Sequence, residues 1–387
     1  MELKRGYKRT ELGVVPKDWD IVSVGSLASF TSGAGISVAA LRRQSSDTPF
    51  PVYGGNGIAG YTAVPLVREP IVVVGRVGQK CGDVYLTQGP AWVTDNALYP
   101  RVIFRPLCVG FLALALKAAG LNDARNRNDL PLITQSILHS VRIPLRPTEA
   151  EQQAIAEALS NVNVLIESLQ QLIAKKRHLR QGAMQELLTG ETRLPGFSAA
   201  WEVRQFGDFA QPRKERVNPR KTEVQRPCIE LEHIEQRSGR LAGIGSTGEE
   251  SSLKAVFQKG DVLFGKLRAY LRKYWLADRS GICSTEIWVL VAELSQVTPE
   301  FLFQLVTTDR FIGIASTAYG THMPRSDWNV VKSYEMLLPS IGEQAAIAAI
   351  LSDMDAEIAA LEAKLDKVRQ IKQGMMHNLL TGKIRLI

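Results

Sequence analysis

Towards the C-terminus, apolar residues fall at Ile347, Leu351, Met354, Ile358, Leu361, Leu365 and Val368. This alternating spacing of four and three is the heptad pattern of a helix that buries a narrow seam against a partner helix. The positions between are mostly Glu, Asp, Lys, Gln, Arg and Ala, which suit a solvated helical surface. The same spacing occurs earlier, at Ile155, Leu159, Val162, Ile166, Leu169 and Ile173. That copy adds a second apolar row, Leu165, Leu172 and Leu179, which predicts a wider buried face. Residues 339–386 are in fact 147–194 written again, at an offset of 192 and without a gap. Glu151-Gln152 answers Glu343-Gln344, and Leu187-Leu188-Thr189-Gly190 answers Leu379-Leu380-Thr381-Gly382.

Both segments carry helix punctuation. Pro147 and Pro339 precede the predicted starts, and Gly190 and Gly382 suit a left-handed stop. Gly182 and Gly374 weaken the last turns. In the second copy Glu343, Asp353 and Asp355 come early and Lys364, Lys367, Arg369 and Lys372 late, complementing the helix dipole. A seam of this length needs a partner. The other copy is the natural one, paired antiparallel with pseudo-two-fold symmetry; each helix's own globular block, or another chain, is the alternative.

The stretches between the helices show a different rhythm. Short apolar runs at 70–74, 83–86, 261–264 and 286–291 are broken by Gly and Asn and read as strands, with helical patches at 109–119 and 299–312. A weak echo supports duplication here too: Trp19-Asp20-Ile21 with Gly25 recurs as Trp201-Glu202-Val203 with Gly207. The expected fold class is α+β: two globular blocks, 1–147 and 191–338, separated by two long helices, 148–190 and 339–387, that pair as an antiparallel coiled coil.

With 45% hydrophobic and 22% charged residues, the composition is that of a folded globular protein. The most apolar run, 108–120, is too short for a bilayer and contains Lys117. No secretion signal is evident at the start, and Cys81, Cys108, Cys228 and Cys283 form no CxxC. The chain reads as cytoplasmic and reduced, without a metal site. The net charge of +8 is unevenly placed: residues 1–147 hold 17 basic against 10 acidic residues, 196–338 hold 19 against 17, and the helical segments are near balance. The excess sits on the blocks, as a phosphate-binding surface would require.

Several turns offer groups suited to DNA, each of which also reads as an ordinary solvated turn. Tyr53-Gly54-Gly55-Asn56-Gly57, with Tyr61, can bring an amide close to a base edge. Arg76 and Lys80 flank Gly78, and Asn96 follows Trp92-Val93-Thr94-Asp95. Arg125, Arg127 and Asn128 include the residue types that make two-pronged contacts to guanine and adenine. In the second block Lys266, Arg268, Arg272 and Lys273 surround Tyr270, and His322 and Arg325 share a further loop.

Catalytic motifs are missing. Gly260 to Lys266 spells GxxxxGK, but Leu267 stands where a magnesium-holding Ser or Thr belongs, and the interior is an apolar strand. No methyltransferase tetrapeptide, glycine-rich cofactor loop or HExxH is present. No catalytic residue is assigned.

Taken together, these residues resemble the specificity subunit of type I DNA restriction–modification systems. The marks are the Trp19 and Trp201 openings, Tyr53-Gly54-Gly55-Asn56-Gly57, Phe257 to Phe264, and Gly281 to Glu286. The strongest are Ile143-Pro144-Leu145 leading to Glu151-Gln152, and Leu337-Leu338-Pro339 leading to Glu343-Gln344. The resemblance implies two target recognition domains, each reading half of a split double-stranded DNA site, and spacer helices that dock partners. Those partners would be two adenine-N6 methyltransferase subunits and ATP-driven restriction subunits. S-adenosylmethionine, ATP and magnesium would then be bound by the partners, and none by this chain. A spacer of about 30–38 residues spans roughly 45–57 Å, enough for half-sites about one duplex turn apart. A self-sufficient methyltransferase or nuclease with unrecognised motifs is the alternative from another class, and a scaffold that reads no sequence is a third.

Overall fold

A computed structural model describes residues 5–124, 131–146, 148–219, 226–246, 252–317 and 323–386. Two compact units emerge: unit 1 combines residues 1–170 with 363–387, and unit 2 is residues 171–362.

In unit 1 a four-stranded antiparallel sheet is built from β1 (Ala28–Ser32), β4 (Val72–Gly75), β5 (Val84–Leu86) and β6 (Ala97–Ile103), in the order β1-β6-β4-β5. A smaller sheet joins β2 (Phe50–Gly54) and β3 (Gly57–Thr62) to the short strand Trp92–Val93. Strand β4 is apolar throughout because both its faces are covered. Val72 and Val74 pack with Phe111 and Leu112 of helix α1 (Val109–Ala118), whereas Val73 turns to Tyr53 and Val93 of the smaller sheet. Helix α2 (Glu149–Thr189) starts in this unit, and Ile155 and Leu159 enter the same core as Phe111.

Unit 2 repeats the larger sheet. Strands β7 (Ala210–Pro212), β8 (Val262–Gly265), β9 (Tyr274–Leu276) and β10 (Ile287–Ala292) are antiparallel in the order β7-β10-β8-β9, the same topology. The alternation recurs: Val262 and Phe264 face Phe301 and Leu302 of helix α3 (Pro299–Thr307), while Leu263 faces Ile229 and Cys283. The second sheet departs from unit 1, with five strands ordered Arg216–Val217, Lys254–Phe257, Gly281–Ser284, Pro227–Ile229 and Gly245–Ser246. The helical patch expected at 299–312 is two helices. Thr308 is extended (φ −66°, ψ 147°), and its hydroxyl accepts from Phe311 N to cap α4 (Asp309–Ala315).

Helices α2 and α5 (Ile341–Leu380) are 41 and 40 residues long. They run through Gly182 and Gly374 and are followed by Gly190 (φ 76°) and Gly382 (φ 72°). Every seam residue is buried or half-buried, Val162, Ile166, Met354 and Leu361 being the half-buried ones. The wider face does not form. Leu165, Leu172 and Leu179 are 42%, 39% and 49% exposed, because each lies about 100–120° around the helix from the nearest seam residue. Inside unit 2 the two helical segments run antiparallel, since Lys176 pairs with Glu357 and, further along α2, Arg180 pairs with Asp355, an earlier position on α5.

Candidate nucleic-acid interface

Two features repeat in both units: a clasp at the helix start, and a basic loop on the sheet. The clasp is a carboxylate in the first turn of each long helix. In unit 1 the Arg385 guanidinium donates to both Glu151 oxygens (3.0 and 3.0 Å) and to Asp18 (2.7 Å). In unit 2 Arg193 donates to both Glu343 oxygens (2.7 and 2.8 Å), as does the Trp201 indole N–H to one of them (3.1 Å). The neighbouring glutamines are also matched. Gln152 accepts from Cys108 N, at the start of α1, and donates to Arg146 O; Gln344 accepts from Thr298 N, at the start of α3, and donates to Pro339 O. Each glutamine thus satisfies an unpaired amide at a helix start and ties it to the long helix. Unit 1 adds Arg146, fully buried, paired with Glu151 and stacked 4.3 Å over Trp19. Burial, reinforced by Arg385, pushes its guanidinium down to about 10.

The basic loop joins the third and fourth strands of each large sheet. In unit 1 it is residues 76–83, between β4 and β5; in unit 2 it is 266–273, between β8 and β9. The backbone bonds coincide at an offset of 190. Gly75 N donates to Asp83 O as Gly265 N donates to Lys273 O, and Cys81 N to Gly78 O as Leu271 N to Arg268 O. Arg76 N donates to Asn96 O as Lys266 N donates to Glu286 O.

In unit 1 this loop interlocks with two others. A Cβ on Gly55 would lie 2.6 Å from Val77 O, and one on Gly75 would lie 2.4 Å from Gly55 O, so only glycine permits the approach. Asn56, Lys80 and Asn96 are thereby gathered, all exposed, and Asn56 Oδ1 accepts from Lys80 N (3.4 Å). Arg76 is half-buried and its Nη1 donates to Ser32 (2.9 Å). Tyr61 sits at the far end of β3, bridged through its backbone to Arg42. Arg125, Arg127 and Asn128 lie outside the described residues, as does His322. Tyr85, which the sequence reading did not single out, lies against the Gly57 turn and donates to Asp83 (3.4 Å). Burial and Asp83 raise its phenol pKa.

In unit 2 all the remaining candidates meet. Lys266, Arg268, Tyr270, Arg272 and Lys273 share the loop, and Arg325 is bridged to it at Leu267. Arg272 pairs with Asp309, Lys273 donates to Leu231 O, and Arg325 pairs with Glu286 at 2.9 Å. Among the described residues the side chains of Lys266, Arg268 and Tyr270 have no hydrogen-bonding partner. Sequence reading missed Arg237, an exposed residue whose N–H donates to Arg272 O; its only signal was a turn-like Arg-Ser-Gly-Arg. Among the described residues no cluster of His, Cys, Asp and Glu is arranged to hold a metal ion, and no helix is long and apolar enough to cross a membrane.

Comparison with known proteins fits this duplicated architecture. A model of the type I restriction modification DNA specificity domain matches residues 16–175 and again 199–370. The chain belongs to that family. It is similar to the type I restriction enzyme MjaVIII specificity subunit of Methanocaldococcus jannaschii, with 23% identity covering 96% of this chain and 94% of the relative. The EcoDI specificity subunit of Escherichia coli is 21% identical, covering 96% and 90%. Among solved structures, the type I S subunit from M. genitalium shares the fold with a TM-score of 0.67 at 16% identity, covering 98% of both chains. A chain from a study of assembly and conformational transition in the type I system has a TM-score of 0.51 at 14% identity, covering 96% and 99%.

Proposed function

We propose that this chain, a specificity subunit of a type I restriction–modification system, reads a bipartite, asymmetric double-stranded DNA site, one half through each block. Residues 1–147 and 191–338 act as the two target recognition domains. The long helices, 148–190 and 339–387, act as a coiled-coil spacer that sets the gap between half-sites. They also dock two methyltransferase subunits and the restriction subunits, which hold S-adenosylmethionine, ATP and magnesium. This subunit contributes sequence choice, and the complex works in the cytoplasm.

The observation that carries the reading is the basic loop, found twice at one topological position and dressed with different side chains. A common frame presenting different chemistry is what two half-site readers need. In unit 1, Asn56, Lys80 and Asn96 are the exposed candidates and Arg76 supports them from behind. In unit 2, they are Arg268 and Tyr270, with half-buried Lys266 beside them and Arg272, Lys273 and Arg325 fixing the loop. Exchanging residues 1–147 for the block of another specificity subunit should change one half of the methylated target and leave the other half intact. Sequencing the modified adenines in cells carrying the hybrid reads this directly. A target unchanged, or changed in both halves, would count against the assignment.

A further inference from the structure

Among the described residues, three that are not glycine adopt positive φ: Arg237 (65°), Arg268 (54°) and Arg272 (54°). The other positive-φ positions are glycine, as expected where a Cβ crowds the following carbonyl. All three arginines belong to one cluster, because Arg268 and Arg272 cap the short 3-10 turn Ala269–Leu271, and Arg237 N donates to Arg272 O.

Unit 1 supplies an internal control. At the offset of 190, Arg268 corresponds to Gly78 (φ 93°) and Arg272 to Gly82 (φ 94°). The same loop is therefore built with unstrained glycines in one unit and with arginines in the other. For Arg272 the structure shows a reason, its ion pair with Asp309. Arg268 has none: its side chain is exposed and, among the described residues, has no partner. Its N–H is used by Pro324 O, which locks the strained backbone in place. Tyr270, 52% exposed, stands two residues on, where unit 1 has Lys80. A strained conformation kept for an exposed side chain that, among the described residues, has no hydrogen-bond or ion-pair partner marks a group held ready for a ligand.

We propose that Arg268 is a specificity-determining residue, reading a guanine edge in the half-site of unit 2. Guanine presents two acceptors, O6 and N7, to a guanidinium fork, so the choice of arginine specifies the base as well as supplying charge. The assignment rests on the DNA-reading function proposed above and goes beyond it in naming the residue and the base.

The test uses the variant that unit 1 already contains, Arg268→Gly, beside Arg268→Lys. Full-length chain, co-produced with the methyltransferase subunit of its system, is used to select from a randomised duplex library. Arg268→Gly should melt no lower than wild type and lose its preference for guanine at one position of one half-site by about ten- to a hundredfold. Arg268→Lys should lose the same preference while the salt dependence of binding stays unchanged, because the charge remains. Unchanged selection by both variants would overturn the proposal, and so would a uniform fall across all sequences with a shallower salt slope. A wild-type chain that selects no sequence would instead overturn the DNA-reading function itself.

Discussion

Glu151 and Glu343 each receive an arginine through two hydrogen bonds, yet their surroundings differ. Arg146 is fully buried beside Glu151, whereas Arg193 retains 30% side-chain exposure beside Glu343. Removing a carboxylate that faces a fully buried guanidinium leaves an uncompensated charge, at about 3–5 kcal/mol. A half-exposed arginine can turn to water, so the corresponding loss is about 1–3 kcal/mol. Glu151→Ala should therefore destabilise unit 1 more than Glu343→Ala destabilises unit 2. Urea unfolding followed by hydrogen exchange in each unit gives the order, and equal losses would show that Arg146 finds another partner. The sequence could not foretell this asymmetry. The repeat matches Glu151 to Glu343, but Arg146 falls opposite Leu338, and only folding shows that it stacks on Trp19. Among the described residues the Trp19 indole N–H is buried without a hydrogen-bond partner, while Trp201 donates its own to Glu343.

At the scale of elements, periodicity revealed most of the architecture. The heptads gave both long helices, and the short apolar runs gave β4, β5, β8 and β10. Where it misled, another force decided. The break at Thr308 comes from a side-chain cap that apolar spacing does not register. The row Leu165, Leu172 and Leu179 stays exposed because a helix in a pair covers only the seam and its immediate flanks. The loop equivalence of Gly78 with Arg268 was hidden because the backbone repeats there while the side chains do not. Helix pairing inside unit 2 also carries a pH dependence. Burial raises the pKa of the Glu362 carboxyl, but hydrogen bonds from Arg240 and Arg177 outweigh it and hold the group below its ordinary 4.5. A depressed folded pKa contributes stability that is full above 4.5 and is lost as pH falls through the folded value. Glu362→Gln should thus destabilise unit 2 near neutral pH and make no difference in strong acid. A constant gap in urea midpoint across that range would sink the argument.

For the whole molecule, the duplication assigns constancy and variation to different parts. The four-stranded sheet, the helix-start clasp and the glutamine tie recur in both units, whereas the second sheet, among the described residues, has three strands in one unit and five in the other. If the helices set the half-site gap, removing one heptad from each in matched register keeps the seam intact and shortens the spacer by about 10 Å. The preferred gap should then fall by about three base pairs, at about 3.4 Å per pair. Methylation mapping with graded-gap targets would show it, and retention of the original gap would mean that the helices only dock partners. Unit 2 is a single uninterrupted stretch, 171–362, while unit 1 needs residues 363–387, including Leu379 and Leu380, to close its core. During synthesis the later-encoded unit is therefore the first to have all its parts. The earlier one waits without Leu379 and Leu380 in its core, and with Arg146 lacking its Leu379 and Ile384 carbonyl acceptors, until residues 363–386 emerge. A message truncated in that stretch would release a chain with one finished head and one open core.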